Sequence, residues 1–124
     1  MKHVLEFIHK NLLKDMSELD LSELAKCVEA DLDQALSVYS VFDKKRRKEI
    51  ASDIAELIIK KCRDRETGTV NLFKLVLLIF HVPQLIAYIV QGHTSLARTY
   101  NRYLATAFNI PYIVDELEKI IHER

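Results

Sequence analysis

From Leu75 to Val90 the chain reads LVLLIFHVPQLIAYIV, sixteen residues without a charge, and any fold it adopts has to find cover for them. A bilayer-spanning helix needs about 20 such residues, and this run is interrupted by His81, Pro83 and Gln84. It is expected to be the central helix of a soluble bundle, or two short helices bent at Pro83, wrapped on most sides by neighbours and not inserted in a membrane. Gln91-Gly92-His93 should close it, with Gly92 in the left-handed conformation that ends many helices. At 124 residues the chain is one domain, long enough to bury roughly two thirds of its unfolded surface.

The flanking segments carry helical periodicity. Over residues 2 to 14, Val4, Leu5, Ile8 and Leu12 share a face opposite Lys2, Glu6, Lys10 and Lys14. Asp20 and Glu23 are placed as a capping box for a second helix whose stripe is Leu24, Val28, Leu32, Ala35, Leu36, Tyr39 and Phe42. A polar break, DKKRRKE at 43 to 49, precedes a third, with Ile50, Ile54, Leu57, Ile58 and Lys61 in register. A fifth carries Leu96, Tyr100, Tyr103, Leu104, Ala107 and Phe108. The last starts near Pro111 and runs through Ile113, Val114, Leu117, Ile120 and Ile121. Two glycines and two prolines leave little material for hairpins. The expected fold is therefore all-α, a compact bundle of about six helices around the apolar helix at 75 to 90.

Charge and motif content narrow the function classes. Eighteen Lys and Arg balance eighteen Asp and Glu, so the chain as a whole has no pull on nucleic acid or an anionic membrane. Cys27 and Cys62 both fall in helical segments, and the charged start MKHVLEFIHKNLLKD is unlike a signal peptide, which points to a reducing cytosol or a nucleus. There is no glycine-rich phosphate loop, and no nucleophile on a recognisable turn. The five histidines and two cysteines lack metal-ligand spacing. No enzyme activity, cofactor or metal is expected.

RDRETGTVNLFKL, Arg63 to Leu75, has the cadence of a calcium-binding helix-loop-helix. With Gly68 at the sixth place of such a loop, Arg63, Arg65 and Lys74 occupy the first, third and twelfth, where the ion requires oxygen ligands. Cations there exclude calcium. What persists is Gly68 for the turn, Val70 placed to pair with a partner loop, and apolar residues opening the exit helix. Leu19 to Gln34, Val38 to Lys45 and Arg65 to Ile79 together resemble the EF-hand-like helical domains without calcium of the dystrophin and dystrobrevin family. That resemblance implies a protein-binding scaffold rather than an enzyme. It would be marked by a short pairing of Val70 with Ile50, the residue at the equivalent place of a second candidate loop, Asp43 to Ile54. A plain helix-to-helix connection accounts for the same residues.

Two further constellations are candidate binding surfaces. Lys44, Lys45, Arg46, Arg47 and Lys48 form a basic turn that Arg63 and Arg65 would join if both turns lay at one end of the bundle. Such a patch would hold phosphate, or be merely solvated between its flanking acids. Arg98 and Arg102 lie on one edge of a helix, with Tyr100 and Tyr103 nearer its apolar stripe. Arginines beside exposed aromatics are common at binding hot spots, although tyrosines in a stripe also serve as core residues with a wet hydroxyl. The leading expectation is a non-enzymatic protein-interaction module: an adaptor, an inhibitor or immunity-type protein, or a homodimer. The alternative is a nucleic-acid-binding regulator using the basic turn.

Overall fold

A computed structural model describes residues 1–39 and 42–122. Six helices follow one another: α1 (Lys2–Lys10), α2 (Leu21–Leu36), α3 (Lys44–Cys62), α4 (Leu72–Val90), α5 (Thr94–Phe108) and α6 (Val114–His122). A 3-10 turn, Met16–Glu18, links α1 to α2. Among the described residues the only β-pairing is a single bridge between Arg63 and Val70. The chain is an all-α bundle.

α4 is the axis, packing against α2, α3, α5 and α6. Asn71 opens it by accepting from the Lys74 N–H at 3.1 Å. Pro83 offers no N–H to the carbonyl of Ile79, yet the helix continues through it as one element, not as two bent pieces. It ends in a Schellman motif: the His93 N–H reaches Tyr88 O at 2.8 Å, the Gly92 N–H reaches Ile89 O at 3.1 Å, and Gly92 takes φ +81°. A Cβ at Gly92 would meet nothing within 4 Å, so Gly92→Ala isolates the backbone penalty of a positive φ. It should lower stability by about 1 kcal/mol, read as a shift of the urea midpoint at unchanged slope.

Several boundaries depart from the sequence expectation. α1 ends at Lys10, not residue 14, because Asn11 turns its amide back to Phe7 O at 2.8 Å. Its buried residues are Val4 and Phe7, while Leu5 and Leu12 are exposed. In α2 the expected stripe holds, with Leu24, Val28, Leu32 and Leu36 fully buried. Only half of the capping box forms: Asp20 accepts from the N–H groups of Ser22 and Glu23, while Glu23 pairs with Lys10. α2 stops at Leu36, and its expected continuation passes through Ser40 and Val41, which lie outside the described residues.

The run at 43 to 49 is not a break. Asp43 caps α3 by accepting from the Arg46 N–H at 2.8 Å, and the cations form the first turn of that helix. Lys and Arg are good helix formers, so charge density was a poor guide to a loop. Ile50 consequently sits inside α3, and Val70 pairs with Arg63 of its own loop, so the Val70–Ile50 pairing is not made.

α5 also turns differently from its expected stripe. Ala97, Asn101 and Leu104 are buried, whereas Leu96, Tyr103, Ala107 and Phe108 are exposed. Asn101 can occupy the core because both ends of its amide are bonded: Oδ1 accepts from Ile113 N–H at 2.9 Å and Nδ2 donates to Pro111 O at 3.2 Å. These bonds hold 110–113 in a non-helical approach, which is why α6 begins at Val114 instead of Pro111.

Candidate interaction face

The 3.6-residue period puts Phe73, Leu77, Phe80 and Gln84 on one side of α4. That side is not covered: Phe73 is 71% exposed and Phe80 69%. α5 borders it. The Tyr100 hydroxyl lies 2.8 Å from His81 Nδ1, and the Tyr100 ring meets Tyr88 edge-on at 6.2 Å between centroids. These contacts seat the Leu96, Tyr100 and Tyr103 edge of α5 beside the open side of α4, and Tyr103 is itself 65% exposed. On its other flank Phe80 lines a cleft of 150 Å³ with Leu32, Ala35 and Pro83.

This surface is electrically quiet. Burial lowers the pKa of His81, so the imidazole is neutral at pH 7, and burial together with Tyr88 raises that of the Tyr100 hydroxyl. Their hydrogen bond joins two uncharged groups. By length and composition alone α4 could cross a membrane, with mean hydropathy 2.0 over its most apolar window, but eight of its residues are buried in the bundle.

The four expected partner residues divide between two sides of α5. Tyr100 adjoins α4, and Tyr103, one turn on, is exposed. Arg98 faces α6, 3.5 Å from Asp115 and 3.4 Å from Glu118, and lines a shallow cleft there with Arg102 and Tyr112. The seven expected basic residues divide as well. Arg46 donates to Ile121 O at the end of α6 and lies over the Phe42 ring at 5.5 Å, and Arg47 pairs with Asp33 at 2.8 Å. Lys44, Lys45 and Lys48 are exposed. Arg63 and Arg65 follow the other end of α3, about 28 Å along a helix of 19 residues, so the two groups do not form one patch.

In the Arg63–Val70 loop, Asp64 accepts from the N–H groups of Glu66 and Thr67 at 2.8 and 3.0 Å, and Arg63 Nε donates to Gly68 O at 2.9 Å. Its one aspartate is thus engaged with the loop's own backbone. Among the described residues no three His, Cys, Asp or Glu side chains gather as a metal site. Burial pushes the Cys62 thiol up to about 12, which leaves it protonated and unreactive at neutral pH.

No family model, curated protein or solved structure matches the chain.

Phe80 was hidden by the uniform hydropathy of its helix. The signal that could have exposed it is Gln84, the one amide in the run, which marks the solvent side one turn beyond Phe80.

Proposed function

We propose that the chain is a non-enzymatic protein-interaction module and that its working surface is the α4/α5 face, closed over by a second copy of the chain. The observation that carries this reading is the exposure of Phe73 and Phe80 on the most apolar helix of the fold. Together with Tyr103 they leave roughly 400 Å² of aromatic surface in water. Val76, Leu77, Tyr88 and Tyr100, partly buried, form the rim of this face.

Its chemistry favours a like partner. The exposed side chains of this face are aromatic, and the charges at its edge, the Met1 ammonium and Asp31, are paired with each other at 3.4 Å. Such a face offers little to a strongly acidic or basic protein, but two copies are complementary under a two-fold axis, aromatic against aromatic. The zero formal net charge means that two copies approach without long-range repulsion. The nucleic-acid reading has less support, since Arg46 and Arg47 are engaged within the fold and Arg63 and Arg65 stand apart from the lysines.

Light scattering across a hundredfold dilution tests the proposal. The wild-type chain should have the mass of a dimer, maintained in about 0.5 M salt because the contact is apolar. Phe80→Glu should shift the mass to that of a monomer with unchanged helicity, since the side chain is exposed in a single copy. A wild-type chain that is monomeric at every concentration would overturn the second copy as the occupant.

A further inference from the structure

A second site lies at the distal end of α3. The first turns of α2, the last turns of α3 and the Arg63–Val70 loop enclose a cleft of 690 Å³ that includes none of the aromatic residues of the α4/α5 face. Leu21, Ala25 and Ile59 give it an apolar floor, and Lys60, Arg63 and Arg65 stand at its rim. Four of its lining residues are cationic and two are acidic, although the whole chain is neutral.

The charges differ in availability. Lys61 is engaged, 2.9 Å from Glu116 on α6. Asp64 accepts from two backbone N–H groups of its own loop, which hold its carboxyl below the ordinary range, so it stays ionised and exposed at the cleft. Arg63 is held by Gly68 O through Nε alone, so its fork is oriented and its terminal nitrogens are available. Lys60 and Arg65 are exposed and make no ion pair among the described residues. Glu56 and Asp64 are the acids that line the cleft, and Lys60, Arg63 and Arg65 outnumber them three to two.

We propose that this cleft binds an acidic peptide segment, with an apolar side chain seated on Leu21, Ala25 and Ile59 and flanking carboxylates paired with Lys60, Arg63 and Arg65. A peptide fits better than nucleic acid for two reasons. None of the lining residues is aromatic, so there is no platform on which a base could stack. The apolar floor would also lie against a sugar-phosphate chain, which has little to place there.

Fluorescence anisotropy of a labelled peptide of repeating Leu-Glu-Glu, titrated with the full chain, reads the proposal directly. Binding should weaken about tenfold between about 0.05 M and about 0.5 M salt. It should weaken about tenfold again when glutamine replaces each glutamate, or in the double variant Lys60→Glu, Arg65→Glu, whose side chains are exposed. Ala25→Phe, which fills the floor without altering charge, should weaken it as well. The proposal is overturned if the glutamine peptide binds equally well, if the double variant binds as the wild type does, or if inorganic phosphate or a duplex oligonucleotide displaces the peptide. Phe80→Glu, which acts on the other face, should leave this binding unchanged, so that failure here and failure of the dimer proposal are separable.

Discussion

Asp31→Ala should destabilise the chain by about 3 kcal/mol, the largest single-residue effect that the fold suggests. Asp31 lies in the middle of α2 with its side chain fully buried, and its function is to cap another helix. The opening turn of α1 has no side-chain cap of its own. Its free N–H groups go instead to Asp31: Val4 N–H at 2.9 Å, His3 N–H at 3.0 Å and, beside them, His3 Nδ1 at 2.9 Å. Alanine would strand the buried Val4 N–H and deprive the more exposed His3 groups and the terminal ammonium of their partner. For a domain whose total stability is of order 5–15 kcal/mol, the loss should lower the melting temperature by about 10 °C.

The same residue gives the wild type a characteristic acid limb. Burial pushes the Asp31 carboxyl up, but the N–H groups of Val4 and His3, the His3 side chain and the terminal ammonium together more than offset it, so the folded-state pKa lies below the ordinary value. A carboxyl with a depressed folded-state pKa contributes its full stability above its unfolded value, about 4, and loses it as pH falls through the lower folded value. The stability gap between wild type and Asp31→Ala should therefore be constant near neutrality and narrow below about pH 4, measured by urea unfolding at each pH. A gap that widened on acidification would contradict this assignment.

Asn101→Ala should destabilise by about 2–3 kcal/mol. Asn101 is fully buried, and the variant would leave the Ile113 N–H and the Pro111 carbonyl without partners while opening a small void between α5 and α6. Asn101→Asp makes the sharper comparison. It retains an acceptor for Ile113 but offers no donor to Pro111, and it brings a charge into the core, so it should prove no milder than alanine. Denaturant midpoints of the two variants decide the matter, and equal stability of all three proteins would refute the role given to the amide. Because Asp31 and Asn101 share no partner, the double variant should lose the sum of the two effects.

Periodicity was informative where one face of a helix meets the core. The α2 stripe is buried as its spacing implied, and Gly92 ends α4 in the conformation that only its missing side chain makes easy. It misled where a polar residue does the work of an apolar one. Asn101 occupies the core because of bonds to residues ten and twelve positions away, and Asp31 because of bonds to a helix some 27 positions earlier; no local window contains either set of partners. The basic run reads as a turn because charge suggests solvent, whereas Asp43 makes it a helix start. The candidate faces were half legible. Tyr100 and Tyr103 were identified beside Arg98 and Arg102, but a linear reading could not separate two sides of α5, nor bring Lys60 to the same cleft as Arg65 and Leu21.

The order in which the helices pack has a kinetic meaning. α1 meets α2, α2 meets α3, and so on to α6, so most of the native contacts join segments adjacent in the chain. Few long loops must close before contacts begin to repay the lost entropy, which places the domain among fast folders, in the microsecond to millisecond range. Contacts also join α2 to α4 and α6 to both α3 and α4; the bond most distant in sequence among the described residues, from Arg46 to the Ile121 carbonyl, spans 75 residues. That bond forms only after α3 to α6 are assembled, so strengthening the α3–α6 contact should slow unfolding more than it speeds folding.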